Sequence, residues 1–516
     1  MGSGAAGLAA AVAAASLGAN VHLFERSDRF GGTTALSSGT AWVPANHLAA
    51  ERGVDDSPDR AREYLAQFGD EVSPEMAEAF IAGASEAIAT FERFTPLRWI
   101  PIDYPDYHPE RAGGLASGRT LLPRFFDAAQ LGEWASSVRT SPFAPPAYRG
   151  VDLAAEGLRT GRWANVYALV GALLKGCLDL GVTLHRSAPA RRLLLSDGTV
   201  TGVVVELDGR DVQVRAIGGV VLASGGFEWN AELAKAFLRG PLEAAPGTRA
   251  NTGDGLVMAM EAGARLGNMS EAWWMPLVRI PGEDLEGGDV FRMTWHERAL
   301  PGSIIVNRRG ERFVNEAHNY SDSGRAFHEF DPNTFEFKNV PAWLVFDHSY
   351  FSDYGIPSVP AGSEAPSWLP SAPTFAGLGQ EIGVDPDGLR ATAARFNEHA
   401  AEGRDPDFGR GQSVFDIFHG DDRFEGARRT LRPLTEPPFH ALRLYIGALG
   451  TSGGPRTTPR GEVLDVRGGV IPGLYAAGNV MAAATNRLYP GAGGTIALAL
   501  TFGHLAGRHA ASRAKA

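Results

Sequence analysis

The pattern of apolar and polar residues predicts alternating helices and strands over the first half of the chain. An alanine-rich run at residues 8–15 predicts a helix, and a β-type run at 21–24 follows it. Helix-like periods return at 56–94 and, with an amphipathic pattern, at 163–180. Short apolar runs bounded by turn residues predict strands at 182–185, 200–207, 213–215 and 219–227. This alternation is typical of an α/β domain with parallel strands.

The composition changes after Gly267, where aromatic residues become more frequent and the alternation of strands and helices weakens. Aromatic residues at such spacing form a core more often than the wall of a ligand site, although a wall for a flat apolar molecule is the alternative. A hairpin turn between two strands is predicted at 307–310. Strands return at 445–454, 463–465 and 471–479, and a helix follows at 496–508. We therefore predict a discontinuous domain of residues 1–270 and 439–516, and an inserted α+β domain of residues 271–438.

Composition and charge narrow the classes of function. The chain has 516 residues, 44% of them hydrophobic, and a formal net charge of −11 without a basic stripe, which argues against nucleic acid as a partner. Cys177 is the only cysteine, so a disulfide framework and a thiolate metal site are excluded and a reducing, cytoplasmic setting fits. No apolar run reaches the roughly 18 residues of a membrane span, which leaves only peripheral contact with lipid open. Residues 405–410 and 421–422 are interpreted as solvated loops, and no metal site is predicted.

A glycine motif stands at the start of the chain. Gly2, Gly4 and Gly7 have the spacing of a dinucleotide-binding fingerprint, in which glycines allow a tight turn, contact with a pyrophosphate and close helix packing. Glu25 comes about 20 residues later, where an acid takes the ribose hydroxyls. Such a motif ordinarily follows a β-strand, and the chain begins at Met1, so we expect the first strand of this domain to be missing.

A second segment, residues 26–39, is crowded with glycine and hydroxyl side chains and almost without bulk. Such a composition suits backbone lying against a flat ligand and its phosphates, although an ordinary Gly/Ser loop is the alternative reading. Residues 31–39, with Trp42 and Pro44, resemble the second flavin-binding segment of the flavoproteins related to fumarate reductase, and among them of the 3-ketosteroid dehydrogenases. Relatives that attach FAD covalently have a histidine in this region. The resemblance therefore implies a Rossmann-like domain with non-covalent FAD and an inserted catalytic or cap domain.

The fingerprint and the resemblance together imply a set of FAD-binding residues, which spans the predicted discontinuous domain. The predicted FAD-binding residues are Gly2, Gly4, Ala6, Gly7, Glu25, Arg26, Gly31, Gly32, Thr33, Thr34, Ser37, Ser38, Gly39, Ala190, Ala223, Gly225, Gly226, Gly478, Asn479, Gly494, Thr495 and Ile496.

The same resemblance implies catalytic residues. The segment 489–493 is the one most specific to the ketosteroid dehydrogenases, in which the tyrosine hydroxyl and the second glycine amide hold the substrate carbonyl; here these are Tyr489 and Gly493. Tyr320 falls on the position of the tyrosine that removes the substrate proton. Tyr107, with Tyr104 as the second choice, falls in the aromatic, proline-bearing segment whose tyrosine assists that base.

These assignments imply an FAD-dependent dehydrogenase that desaturates an apolar, steroid-like ketone, with Δ1-dehydrogenation as the expected reaction and an external electron acceptor such as a quinone. A fumarate- or urocanate-type reductase is one alternative, but it needs cations to hold carboxylates. Leu449 occupies the place of the reductases' histidine and argues for a neutral substrate, whereas Arg487 still resembles their arginine. The other alternative is a flavin-binding protein without turnover.

Overall fold

The computed structural model describes residues 1–68, 72–141 and 160–515. The chain divides into two compact units. Unit 1 contains Met1–Leu238, Gly247–Ala272 and Gly450–Ala516, and unit 2 contains Arg239–Pro246 and Trp273–Leu449. The predicted mixture of helices and parallel strands is confirmed. The FAD-binding role predicted for one domain and the catalytic or cap role predicted for the other stay predictions.

The α-helices of the described residues are α1 (Ala5–Ser16), α2 (His47–Glu51), α3 (Pro58–Ala66), α4 (Pro74–Phe94), α5 (Asn165–Asp179), α6 (Ala231–Phe237), α7 (Asp254–Glu261), α8 (Tyr320–Arg325), α9 (His348–Tyr354), α10 (Phe375–Ile382), α11 (Pro386–Ala401), α12 (Val414–Phe418) and α13 (Gly494–Lys515). The strands are β1 (His22–Phe24), β2 (Ala41–Trp42), β3 (Trp99–Pro101), β4 (Thr120–Pro123), β5 (Thr183–His185), β6 (Ala190–Ser196), β7 (Thr199–Leu207), β8 (Arg210–Arg215), β9 (Val220–Leu222), β10 (Leu266–Gly267), β11 (Ala272–Asp284), β12 (Asp289–Met293), β13 (Ser303–Asn307), β14 (Phe330–Asp331), β15 (Glu336–Phe337), β16 (Ala342–Phe346), β17 (Ser371–Ala372), β18 (Phe439–Thr451), β19 (Gly454–Pro455), β20 (Glu462–Leu464) and β21 (Val470–Ala476).

Unit 1 is built around the contact between α1 and α13. A Cβ added at Gly503 would lie 2.4 Å from the carbonyl oxygen of Ala6, and one added at Gly507 would lie 2.3 Å from that of Ala10. The two helix backbones therefore touch where one helix presents alanine and the other glycine. Almost every residue of the alanine-rich α1 is buried, because α1 also packs against α4, α5 and β1.

Two parallel strand pairs flank the start of the chain. Strand β1 pairs with β5, and β9 pairs with β21, both in parallel. Gly2 N donates to Phe24 O at 2.7 Å, next to β1, and Ala223 N donates to Met1 O at 2.9 Å, just after β9. The first two residues are thus hydrogen-bonded to both pairs. An antiparallel meander, β6–β7–β8, forms a separate sheet.

Helix α5 differs from the predicted amphipathic helix. Its apolar residues are buried around most of its circumference, because it packs against α1 as well as other elements of unit 1. Cys177 lies on this helix and is fully buried, with its Sγ 3.9 Å from Leu8 O. Burial raises the pKa of the thiol to about 12, so it stays protonated at neutral pH.

Unit 2 contains a predominantly antiparallel sheet with the strand order β12–β11–β18–β16–β13, and β17 pairs with β18. The predicted turn after β13 is present, because Asn307 Oδ1 accepts hydrogen bonds from Arg309 N and Glu311 N. The prediction that a second strand follows this turn is wrong. Only an isolated bridge between Val306 and Arg312 follows the turn, and β13 pairs instead with β16.

Unit 2 contains a cluster of four buried, charged side chains. Glu316 forms ion pairs with Arg312 at 2.8 Å and Arg410 at 3.1 Å, and Arg312 also pairs with Asp405 at 2.8 Å. All four side chains are at most 4% exposed. Burial alone would raise the pKa of Glu316, but the two guanidinium groups lower it below its ordinary value.

The interpretation of residues 405–410 as a solvated loop is therefore wrong for Asp405 and Arg410, which are buried, whereas residues 406–408 are exposed. Asp405 pairs with Arg312 and Arg410 pairs with Glu316, and both partners lie about 90 residues earlier in the chain. Asp421 is also buried; it accepts hydrogen bonds from Tyr354 at 2.6 Å and from Arg423.

Among the helices of the described residues, none combines the length and apolar character that a bilayer crossing requires.

We predict that Glu316→Gln lowers the free energy of unfolding by about 3–5 kcal/mol, because it leaves Arg410 buried without its counter-charge. Denaturant unfolding measures this loss. Since the pKa of Glu316 is depressed, its contribution is present above the ordinary carboxyl pKa and is lost as the pH falls below it.

The control is Arg395→Ala, which breaks the exposed Arg395–Asp407 pair and should leave the unfolding midpoint nearly unchanged. Equal effects of the two substitutions would contradict the prediction.

Candidate active site

The predicted nucleotide-binding glycines form a tight turn that leads into α1. Gly2 has φ +100°, and a Cβ on it would lie 2.2 Å from Ala223 O. A Cβ on Gly7 would lie 1.9 Å from Gly2 O, so this glycine is required for the turn to close on the helix. Gly4 differs from both, because a Cβ there would meet only Thr34 Oγ1 at 3.4 Å.

The second predicted segment is hydrogen-bonded to this turn. Gly31 N donates to Ser3 Oγ at 3.0 Å, and Ala5 N donates to Thr34 Oγ1 at 2.9 Å. The backbone of Gly32–Leu36 then forms a 3₁₀ turn beside the N-terminus of α1. The structure thus brings together two segments that the sequence separates by about 25 residues.

Glu25 and Arg26 follow β1. Glu25 is buried, and its two carboxylate oxygens accept hydrogen bonds from Ser3 and Ser27. Each oxygen accepts two of these four hydrogen bonds, and the ribose role of Glu25 stays a prediction. Arg26 Nη1 donates to Thr252 Oγ1 at 2.6 Å and to Asp254 at 2.9 Å, which ties the end of β1 to the start of α7.

The other predicted FAD-binding residues also lie in unit 1. Ala190 begins β6, and Ala223, Gly225 and Gly226 follow β9. Gly478 and Asn479 follow β21, and a Cβ on Gly478 would lie 3.0 Å from the Cβ of Ala6. The remaining predicted residues are Ser37, Ser38 and Gly39, which lead into β2, and Gly494, Thr495 and Ile496, which open α13. A cofactor pyrophosphate requires a turn that closes only with glycine and free space beside its second glycine. Gly2 and Gly7 provide the turn and Gly4 provides the space, so these residues fit a bound FAD.

Tyr107 and Tyr489 lie side by side. Their rings stack with centroids 5.2 Å apart, and Tyr489 Oη is 3.3 Å from Thr495 Oγ1 at the start of α13. Pro490 directly follows Tyr489, and its carbonyl oxygen accepts hydrogen bonds from Tyr107 N at 3.1 Å and from Tyr64 Oη at 2.8 Å. Tyr107 is fully buried, so the segment is part of the core and not a surface turn.

A buried charge network fixes the position of Tyr107. Asp106 accepts hydrogen bonds from Trp42 Nε1 at 2.6 Å, from Leu115 N at 3.0 Å and from Arg119 at 2.7 Å. Arg119 also pairs with Asp56 at 2.6 Å. Burial raises the pKa of Asp106 to about 6, although Arg119 and the hydrogen bonds from Trp42 and Leu115 oppose the rise.

Sequence reasoning missed this network. Asp106 and Arg119 are 13 residues apart, and the charged residues Glu110 and Arg111 lie between them. Nothing in the sequence indicated that they would meet.

Gly493 ends the loop that Tyr489 begins. Its φ is +85°, and a Cβ on it would lie 2.3 Å from Thr40 O, so only glycine fits. Trp42 N donates to Gly493 O at 3.3 Å. Helix α13 begins at the next residue, and its first amides have no partner within the helix.

Tyr320 belongs to unit 2 and begins α8. It is 3% exposed, and its ring lies edge-on to Trp295 with centroids 5.2 Å apart. The buried Arg298 donates to the carbonyl oxygens of Glu316 and His318, both at 2.6 Å, and so fixes the segment that leads into Tyr320.

We predict that Gly4→Ala abolishes FAD binding and leaves the apoprotein folded, since the methyl group meets only a hydroxyl inside the protein but blocks the approach of the pyrophosphate. Gly7→Ala is the contrasting variant, and should lose both FAD binding and thermal stability because its methyl group collides with Gly2 O. Flavin absorbance of the purified protein and its melting temperature separate the two outcomes. Normal flavin content in Gly4→Ala would contradict the assignment of the turn.

Comparison with known proteins identifies the family of this chain. The profile of a family described as "FAD binding domain" matches residues 1–496. The 4-oxocyclohexanecarboxylate 2-dehydrogenase of Sinomonas cyclohexanicum is 38% identical, over 100% of this chain and 92% of its own length. The 3-oxosteroid 1-dehydrogenase of Mycobacterium tuberculosis (strain ATCC 25618 / H37Rv) is 37% identical, over 100% of this chain and 98% of its own.

Among solved structures, the 3-ketosteroid Δ1-dehydrogenase of Sterolibacterium denitrificans, in complex with 1,4-androstadiene-3,17-dione, superposes with a TM-score of 0.91. It is 32% identical, and the match covers 99% of this chain and 98% of that one. The chain therefore belongs to the FAD-binding flavoproteins and, within them, to the family of the 3-oxosteroid 1-dehydrogenases, and it is an FAD-dependent oxidoreductase that acts on CH–CH donors.

Proposed function

We propose that this enzyme introduces a double bond next to the carbonyl of a neutral, steroid-like cyclic ketone, by Δ1-dehydrogenation of a 3-ketosteroid. The observation that carries the proposal is the stacking of Tyr107 on Tyr489, the first residue of the loop that ends at Gly493 and leads into α13. This loop offers a hydroxyl and a helix-terminal amide within a few residues of each other.

The first requirement of the reaction is to acidify a C–H bond beside the carbonyl. Tyr489 Oη and Gly493 N are the donors that would hold the ketone oxygen as it gains enolate character. In other enzymes, such a donor stabilises the transition state by roughly 3 kcal/mol. The N-terminus of α13 adds a positive dipole end at the same loop.

The second requirement is a base. Tyr320 is assigned this role. Because a free phenol has a pKa of about 10, a tyrosine needs assistance from a neighbouring group to act as a base at neutral pH. Tyr107 is assigned as the hydroxyl that shares the proton and so makes its removal easier. Arg298, through the carbonyl oxygens of Glu316 and His318, keeps the segment before Tyr320 in one arrangement.

FAD, when bound, supplies the hydride acceptor at its N5 atom. The residues of unit 1 bind and orient it without a covalent bond, since the segment 31–39 contains no histidine. Reoxidation is assigned to an external acceptor such as a quinone.

The relatives support a cyclic ketone as the substrate class. Two of them are named for a 3-oxosteroid and for 4-oxocyclohexanecarboxylate, and both names describe a ring ketone that loses hydrogen from adjacent carbons. We favour the steroid, because Leu449 is apolar at the place where carboxylate-binding reductases of this fold have a histidine. The same residue argues against fumarate- or urocanate-type reduction.

Anaerobic mixing with androstenedione, followed by the flavin absorbance, tests the proposal. Bleaching is the expected result, and 4-oxocyclohexanecarboxylate is the comparison substrate. Bleaching by the carboxylate alone would move the substrate class to small cyclic keto acids. A flavin that neither compound bleaches would favour a flavin-binding protein without turnover.

We predict that Tyr320→Phe slows this bleaching by at least about 100-fold while FAD stays bound, because the ring is retained and only the proton-accepting oxygen is lost. Tyr350→Phe is the matched control, since it removes the hydroxyl of another buried tyrosine of unit 2, which donates to Glu297 O. Stopped-flow absorbance measures both variants. A near-normal rate in Tyr320→Phe would remove Tyr320 from the mechanism.

A further inference from the structure

Glu228 is a buried acid that the proposed reaction does not use. It follows the Gly225–Gly226 turn after β9 and is 6% exposed. Asn251 Nδ2 donates to its Oε1 at 2.6 Å, and the same amide group donates to Thr33 Oγ1 at 2.9 Å. One amide therefore connects Glu228 to the second predicted flavin-binding segment.

Glu228 also lies against two other predicted FAD-binding segments. A Cβ on Gly226 would lie 2.3 Å from Glu228 Oε2 and 2.4 Å from Thr451 Oγ1, so these groups meet around a position that has no room for a methyl group. A Cβ on Gly450 would lie 2.3 Å from Asn479 Nδ2 and 3.7 Å from Glu228 Oε1. The carboxyl group thus lies close to the segments that carry Gly226 and Asn479, and Asn251 connects it to Thr33.

The surroundings of Glu228 favour its uncharged form. Its Oε2 is buried and has no hydrogen-bond partner among the described residues, which is costly for a carboxylate and much less so for a neutral acid. Burial raises the pKa of Glu228 to about 7, although Asn251 and the backbone N–H groups of Glu228 and Thr451 oppose the rise.

The charged groups on the neighbouring segments do not compensate a carboxylate at this position. Arg249 lies over the ring of Trp229, and Asp254 pairs with Arg26. Glu271 contacts the segment after Thr451 through its carbonyl oxygen, which accepts a hydrogen bond from Ser452 N.

We propose that Glu228 is a positioning residue of the FAD site, which holds the segments of Thr33, Gly226 and Asn479 in their binding arrangement as a neutral acid. The proposal rests on the FAD site of unit 1 and not on the identity of the ketone. Bound FAD brings a negatively charged pyrophosphate and excludes water, and both effects disfavour a carboxylate. The FAD-bound protein therefore keeps the Glu228 proton to higher pH than the FAD-free protein, and FAD affinity falls as the pH rises.

The experiment follows FAD release from the holoenzyme by the fluorescence of free FAD after dilution, between about pH 6 and pH 8.5. For the wild type we expect the apparent dissociation constant of FAD to rise about tenfold over this range. Such a rise follows if the pKa of Glu228 is about one unit higher in the FAD-bound than in the FAD-free protein. Glu228→Gln, which is neutral at every pH, should bind FAD within about threefold of the wild type at pH 6 and show no rise. Glu228→Ala should bind more weakly at all pH values.

The control is Glu297→Gln, which neutralises a buried acid of unit 2 whose pKa burial also raises. It should keep the wild-type pH profile. The same profile in the wild type and Glu228→Gln would overturn the proposal, as would a Gln variant as defective as the Ala variant. Should Glu228→Ala fail to fold, the comparison of the wild type with Glu228→Gln still decides. Because the readout is FAD retention, the result is independent of whether a ketosteroid is the substrate.

Discussion

The close contact between α1 and α13 is the constraint on which the architecture of unit 1 depends. Gly503 meets Ala6 and Gly507 meets Ala10, so the two helices run in the same direction with their backbones touching. Helix α13 begins nine residues before Gly503, about 14 Å along its axis. The nucleotide-binding turn at the start of α1 and the loop of Gly493 at the start of α13 are therefore held at a fixed offset by direct contacts between the two helix backbones.

Much of this arrangement could be predicted from the sequence. The glycine spacing, the alanine-rich helix and the strand that precedes Glu25 are local patterns, and the structure contains each of them. The apolar run at 219–227 ends in small residues and predicted a parallel strand, and β9 pairs in parallel with β21. The family resemblance, which the comparisons confirm, then connected the two halves of a domain that the insertion separates.

The missed features are polar groups whose partners are distant in the sequence. Asp106, Arg119 and Asp56 form one network, and Arg312, Glu316, Asp405 and Arg410 form another. A charged residue in a loop has the same sequence pattern whether it is solvated or paired in the core. Only the tertiary fold decides which of these it becomes, and the same reason kept Glu228 and Asn251 from being recognised.

The position of the single cysteine has a practical consequence for work on this enzyme. Because Cys177 is enclosed between α5 and the backbone of α1 and keeps its proton, thiol-reactive dyes will not modify it while the protein is folded. A cysteine introduced at an exposed site becomes the one reactive thiol of the native chain, with no need to replace the natural one. Fluorescent or spin labels can thus be attached at a chosen residue, and unwanted labelling at Cys177 will itself report that the protein has unfolded.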